Sequence, residues 1–201
     1  RVGEGRRELE PEAVHGAVVE DRELICILPS KGKTVFDLSG LKLKGKHNLE
    51  NVGAAALTAL FAGGSRAGIQ AALDRFEGLP HRLELVGTIN DVDYYNDSKA
   101  TNVDAVRGAL ESFDRPVILL MGGRNKGGGY SSLEKLIKGR VKRLVVFGEA
   151  RETILSALGH LKPSQKRKDL VAAVNLAHQQ AASGDVVLLA PGCSSFDMYA
   201  N

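Results

Sequence analysis

The chain predicts an α/β protein whose second half carries a mostly parallel sheet with a β-hairpin, preceded by a small β-region and two helices. Three observations lead there. The apolar runs VILLM at 117–121, RLVVF at 143–147 and VVLLA at 186–190 are continuous rather than alternating, as strands covered on both faces require. Segments of helical period separate these runs, so neighbouring strands can run parallel. Ahead of them, RLELVGTINDVDYYND alternates about Asn90 and Asp91 as a hairpin does.

Taken from the start, residues 16–46 hold the short runs AVV, LICIL, TVFDL and LKLKG, punctuated by charged or glycine-bearing turns, which predicts a small antiparallel β-region. HNLENVGAAALTALFAGG then places Leu49, Val52, Ala56, Leu57 and Leu60 at helical spacing. IQAALDRFEGL supplies a second short helix, stopped by Gly78 and Pro80. The domain boundary belongs there, giving residues 1–79 and 80–201.

Composition excludes several classes of function. With 201 residues and 43% hydrophobic content the chain can bury a core and form one or two domains. A net charge of +3, from 27 basic and 24 acidic residues spread along the chain, gives solvated mixed-charge faces and no nucleic-acid footprint. Cys26 and Cys193 lie far apart in no metal or redox spacing, and no HxxxH pair occurs, so no metal site is expected and reduced thiols point to the cytoplasm. No apolar run approaches the ~20 residues that span a bilayer, so no membrane insertion is expected. The chain starts at Arg1 and stops at Asn201, just past the loop-like PGCSSFDMYAN, which reads as a fragment of something longer.

Ligands of such sheets bind outside the carboxyl ends of the strands. Three segments leaving strands suit anions. In the first, Thr101 is expected to cap the following helix with Asp104 completing a capping-box variant, leaving Lys99 beside free backbone N–H groups. In the second, GGRNKGGG lets the backbone approach a ligand while Arg124 and Lys126 add charge. The third, PGCSSFD, brings two hydroxyls. Each alone is an ordinary turn; together they predict a small ligand with more than one carboxylate or phosphate.

Other motifs carry less. GKT at 32–34 lacks the first glycine of a phosphate-binding loop, Ile27 standing in its place, and reads as a strand-connecting turn. Cys193 at a strand end is a nucleophile only if a histidine is brought beside it. Asn48 and Asn51, one helical turn apart, suit an N-terminal cap with a solvated neighbour as well as a ligand.

KHNLENVGAA, GLPHRLE, YYNDSKATN, LLMGGRNKG and LLAPGCSSFD, in this order, resemble the D-glutamate-adding branch of the Mur ligase family over about residues 12–201. NDSKATN is the specific element; the others are shared more loosely among these ligases. The resemblance implies that residues 1–79 are the β-strand and helical end of an ATP-binding central domain, and that 80–201 are most of a Rossmann-like C-terminal domain that brings the amino acid. It also implies an ATP-dependent amide-bond ligase of peptidoglycan synthesis, serving cell-wall biogenesis, cell shape and division. In that reaction the carboxylate of UDP-N-acetylmuramoyl-L-alanine becomes an acyl phosphate, which the amine of D-glutamate attacks.

By the same resemblance Lys99 and Thr101 hold one end of D-glutamate, and Lys126 with Ser195 and Phe196 holds the rest. Asp97 lies on the ATP side, Arg82 reaches the phosphates with His81 beside it, and Asn48 and Asn51 meet the adenine edge. The P-loop and the lysine that helps hold Mg2+ are not found in the chain, so Mg2+ and much of ATP belong to a missing part, and this chain alone is expected to be inactive. A monomer in the cytoplasm is implied. The chain departs from the family where Asn125 and Gly129 stand in place of aspartates around the loop lysine. Two alternatives stay open: a folylpolyglutamate-type or other Mur-family ligase, and a non-catalytic nucleotide- or amino-acid-binding α/β module.

Overall fold

A computed structural model describes residues 16–29, 32–125, 127 and 129–198. They divide into two compact units between Gly78 and Leu79.

The first unit opens with an antiparallel sheet of β1 (Gly16–Glu20), β2 (Glu23–Leu28) and β3 (Gly32–Asp37), in that spatial order. Asp21 and Arg22, both at positive φ, make the tight β1–β2 turn that matches the twist of the strands. The GKT residues open β3 rather than forming a connecting turn. LKLKG is not a strand: Leu41 and Leu43 reach the core from an irregular segment while Lys42 and Lys44 stay outside, which reproduces strand-like alternation without a ladder. Helix α1 (Lys46–Phe61) starts after Gly45, whose φ of 94° suits glycine, and lays Val52, Ala56 and Leu60 on Leu24, Cys26 and Phe36. Gly53 keeps this approach close, since a Cβ there would stand 3.1 Å from that of Ala17. In α2 (Arg66–Arg75) the Ser65 hydroxyl accepts from the Gly68 N–H at 3.1 Å.

The second unit runs β4 (Glu84–Ile89), β5 (Val92–Asn96), α3 (Val103–Glu111), β6 (Val117–Gly122), a 3-10 turn at Tyr130–Leu133, α4 (Glu134–Arg140), β7 (Val141–Phe147), α5 (Arg151–Leu158), β8 (Ser164–Lys166), α6 (Leu170–Gln180) and β9 (Val186–Leu189). Its sheet has the order β4-β5-β9-β6-β7-β8, with only β4 antiparallel to its neighbour. The turn residues Asn90 and Asp91 both take positive φ, the conformation a two-residue hairpin needs.

Every residue of β6 is buried, as its unbroken apolar run requires. The side-chain period of two sends Leu119, Met121, Leu144, Val146 and Leu188 to one face, against Val106 and Leu110 of α3, Ile137 of α4 and Ile154 of α5. Ile118, Leu120, Val145, Phe147 and Val187 face the other way, onto Ala173, Leu176 and Ala177 of α6. The mostly parallel sheet with its hairpin is therefore as the sequence predicts. Strand β8 has no sequence signal, because its SQK is a polar edge held by β7 alone.

The amino-terminal ends of the strands are closed by Arg115. Its guanidinium donates to Asp93 Oδ2 at 2.6 Å and to the carbonyls of Gly184, Asp91 and Asp185 at 2.8, 3.1 and 3.2 Å. Asp185, only 3% exposed, accepts from Lys142 and from the Ala182 N–H. Planar fork geometry is what lets one side chain satisfy several carbonyls. We expect Arg115→Ala to cost the second unit roughly 1–3 kcal/mol in urea unfolding, with Arg115→Lys recovering only a minority of it; full recovery by lysine would show that charge alone matters.

Candidate functional site

Strand β9 lies between β5 and β6, so their carboxyl ends emerge side by side. The segment after β5 begins at Asp97, whose N–H donates to Leu189 O at 2.8 Å. A tight turn follows, in which the Ala100 N–H donates to Asp97 O and the Thr101 N–H to Lys99 O, both at 2.8 Å. Thr101 is not the helix cap. Its backbone is spent in that turn, and Asn102, extended at φ −144°, accepts the Ala105 N–H at 2.8 Å. Asp104 pairs instead with Arg107 at 2.8 Å, and Lys99 is exposed at the rim.

His81 and Arg82 precede β4, whose first residue pairs with Asn96, so they sit at the same end of the sheet. The Asn96 amide donates to His81 Nδ1 at 2.9 Å, which leaves the proton of a neutral ring on Nε2. Lys99 N–H donates to His81 O at 3.1 Å, and His81 N–H to Glu84 Oε2 at 2.8 Å. His81 thus takes a positive φ of 66° as part of a fixed corner beside Lys99, while Arg82 stays exposed.

The exits of β9 and β6 are tied to each other. Gly192 N–H donates to Ala100 O at 2.8 Å and Gly122 N–H to Pro191 O at 3.0 Å. The Arg124 N–H donates to Ser194 O at 2.7 Å and the Ser194 N–H donates to Arg124 O at 3.1 Å, an isolated antiparallel bridge. Glycine is obligatory at 123: its φ is +129°, and a Cβ would stand 2.2 Å from Ser194 O. Below the bridge the Tyr130 hydroxyl meets Cys193 Sγ at 3.2 Å, both groups buried. That contact gives the thiol a packing role. Burial, and then Cys193, push the Tyr130 phenol well above its ordinary range. Beyond Ser194, Ser195 and Phe196 are exposed.

The structure thus gathers His81, Arg82, Asp97, Lys99, Thr101, Ser195 and Phe196 at one end of one sheet. Lys126 lies outside the described residues. Asn48 and Asn51 belong to α1 of the first unit, where Asn48 Nδ2 donates to Lys44 O at 2.7 Å and Gly45, not Asn48, is the cap residue. Sequence reading passed over the exit of β7, where Ala150 N–H donates to Gly123 O at 2.8 Å and Glu149 accepts from Arg124 Nε at 3.1 Å. Gly148 at the end of an apolar run was the available signal. Among the described residues no group of three His, Cys, Asp or Glu could hold a metal ion, and no helix is long and apolar enough to cross a membrane.

Residues 81–193 match the family described as Mur ligase, glutamate ligase domain. The chain is 46% identical over 187 residues to the UDP-N-acetylmuramoylalanine--D-glutamate ligase of Syntrophus aciditrophicus, covering 92% of this chain and 41% of that protein. With the protein of the same name from Desulfatibacillum aliphaticivorans it shares 51% over 166 residues, 83% of this chain and 37% of that one. The chain therefore spans about two fifths of the length of these curated relatives. Among solved structures, a pseudomurein peptide ligase type C from Methanothermus fervidus aligns with a TM-score of 0.67 at 16% identity, over 88% of this chain and 39% of that one. E. coli FolC in complex with ADP aligns at 0.65 and 21%, over 92% and 44%. At these identities the structural likeness establishes the fold.

We expect Gly123→Ala to destabilise the second unit by about 2 kcal/mol or more, with faster exchange of the Arg124 and Ser194 amides; unchanged exchange would contradict the bridge. The Tyr130 shift has a definite sign. With its folded value raised, the stability it contributes is complete below the ordinary phenol value of 10.0 and is lost as pH rises through the folded value. Tyr130→Phe should therefore flatten the alkaline limb of the stability curve, and an unaltered limb would count against the buried phenol.

Proposed function

This chain belongs to the Mur ligase family, and from that premise we propose that the protein carrying it is an ATP-dependent ligase joining D-glutamate to UDP-N-acetylmuramoyl-L-alanine in peptidoglycan synthesis. The observation that carries the reading is the Asp97–Thr101 turn, with its exposed Lys99, tied through Ala100 and Gly192 to the segment that presents Ser195 and Phe196. The names of the relatives at 42–51% identity point the same way.

D-Glutamate brings two carboxylates and an amine that must remain free to attack. Cations and hydroxyls on separate, mutually anchored loops grip the carboxylates at both ends and leave the amine uncovered. Lys99 and Thr101 take one end, and Lys126, Ser195 and Phe196 take the other. Positioning of this kind accounts for much of the catalysis in an acyl-phosphate route, because the reacting atoms need only be held together in line. Arg82, a fork-shaped donor, is suited to phosphate oxygens, and His81, oriented by Asn96, stands beside it as a donor through Nε2. Asn48 and Asn51 supply amides that donate and accept together at an adenine edge, and Asp97 serves the ATP side.

The described residues show no carboxylate and imidazole cluster for Mg2+, so no step here is assigned to it. A cytoplasmic monomer acting on small-molecule substrates, with no nucleic acid, fits this reading. The likeness to FolC is one of fold alone.

In the full-length enzyme, Lys99→Ala and Lys126→Ala should each raise the apparent constant for D-glutamate by roughly one to two decades, the worth of a charge-assisted contact of ~1.5–3 kcal/mol. The constant for ATP should stay within a few-fold. Steady-state kinetics with each substrate varied decides it: a rise confined to ATP would reverse the assignment, and turnover with L-glutamate but not D-glutamate would sink the proposed substrate.

A further inference from the structure

We propose that Asp197 is a positioning residue for the amino-acid end of the site, fixing Ser195 and Phe196 by clasping the loop that leaves β7. The proposal rests on the reading of those two residues as D-glutamate contacts. Asp197 Oδ2 accepts the Glu149 N–H at 2.9 Å. The Met198 N–H donates to Ser195 O at 3.0 Å, so Ser195, Phe196 and Asp197 share one tight turn. On the near side that turn is anchored at Ser194, through its bridge to Arg124. Asp197 supplies the anchor on the far side. Ser195 and Phe196, the latter 61% exposed, are thus suspended between two fixed points.

Three further features indicate that the neighbourhood is built around this carboxylate. Gly148 has a φ of +69°, and a Cβ there would stand 2.5 Å from Asp197 Oδ2, so the approach requires glycine. Helix α5 has no side-chain cap of its own at Ala150, and an acid brought to the residue just before it complements the N-terminal dipole. The second oxygen, Oδ1, is buried and has no hydrogen-bond partner among the described residues. An orphaned carboxylate oxygen is costly, and a chain free to point this acid at water would do so. The turn and the clasp hold it in.

The clasp has a direct readout in the 201-residue chain and a functional one in the full-length enzyme. By amide exchange, Asp197→Ala should release the Glu149 N–H at least about tenfold faster, whereas Asp197→Asn, which keeps an acceptor and leaves no unpaired charge, should stay near the wild type. In kinetics, Asp197→Ala should raise the KM for D-glutamate about tenfold or more, since small displacements of positioning groups have effects of that size, and leave the KM for ATP within twofold. Asp197→Asn should restore the D-glutamate constant to within threefold. The proposal is overturned if the alanine variant leaves that constant within twofold, if both substrates' constants rise together, or if asparagine does no better than alanine. A wild-type enzyme that does not use D-glutamate would overturn the functional reading and with it the substrate role, while the exchange measurement would still judge the clasp separately.

Discussion

The insertion of β9 between β5 and β6 is the constraint from which the site follows. A parallel strand must bring its carboxyl end level with those of its neighbours, and here the registers Asn96 to Leu189 and Leu120 to Leu189 fix that level. Three exits that lie far apart in sequence then share backbone hydrogen bonds, from Gly192 to Ala100, from Gly122 to Pro191 and between Arg124 and Ser194. Backbone bonds of this kind bear little on side-chain chemistry, yet they decide where Lys99 and Ser195 stand relative to one another. A ligand with charges at both ends needs that spacing held, since mobile cations would surrender part of their binding energy to ordering.

Much of the fold was legible because burial writes itself into sequence. The strands β6 and β9, and β7 from Leu144 to Phe147, are covered on both faces and so are continuously apolar, and the hairpin declares itself through alternation about Asn90 and Asp91. What escaped has a common physical cause. β8 is an edge strand three residues long, exposed enough to need no apolar side chain, and LKLKG alternates only because an irregular segment happens to pass over a core. In both cases the local pattern reports burial, and burial is only loosely coupled to the presence of a ladder.

The site was legible in its residues and less so in its support. Lys99 and the two hydroxyls of PGCSSFD stand out as polar groups past strand ends, while the ligand roles of Thr101, Ser195 and Phe196 enter only through the family resemblance, and the misplaced cap at Thr101 shows the limit of local rules. Threonine and asparagine both cap, and only the turn from Thr101 to Lys99 decides that Asn102 does so. The buried phenol and thiol of Tyr130 and Cys193 and the contact from Asp197 to Glu149 are long-range, spanning 63 and 48 residues, so no spacing rule could have proposed them.

Those long-range contacts also bear on the departure at Asn125 and Gly129. Asn125 Oδ1 accepts the Gly127 N–H at 2.9 Å, so the neutral side chain builds a turn that an aspartate could build as well. The geometry of the loop therefore does not require the acid. Charge is another matter, because an asparagine brings no negative charge to the loop. In this chain the acid facing Arg124 comes from the exit of β7, as Glu149 at 3.1 Å, with both side chains more than half exposed. Such an exposed pair adds little stability, since water screens it. Its effect is on direction: it holds the Arg124 side chain against the exit of β7. The same exit of β7 holds both Arg124, through Glu149 Oε2, and Asp197, through the Glu149 N–H. Glu149 thus ties the loops that leave β6 and β9 to the exit of β7.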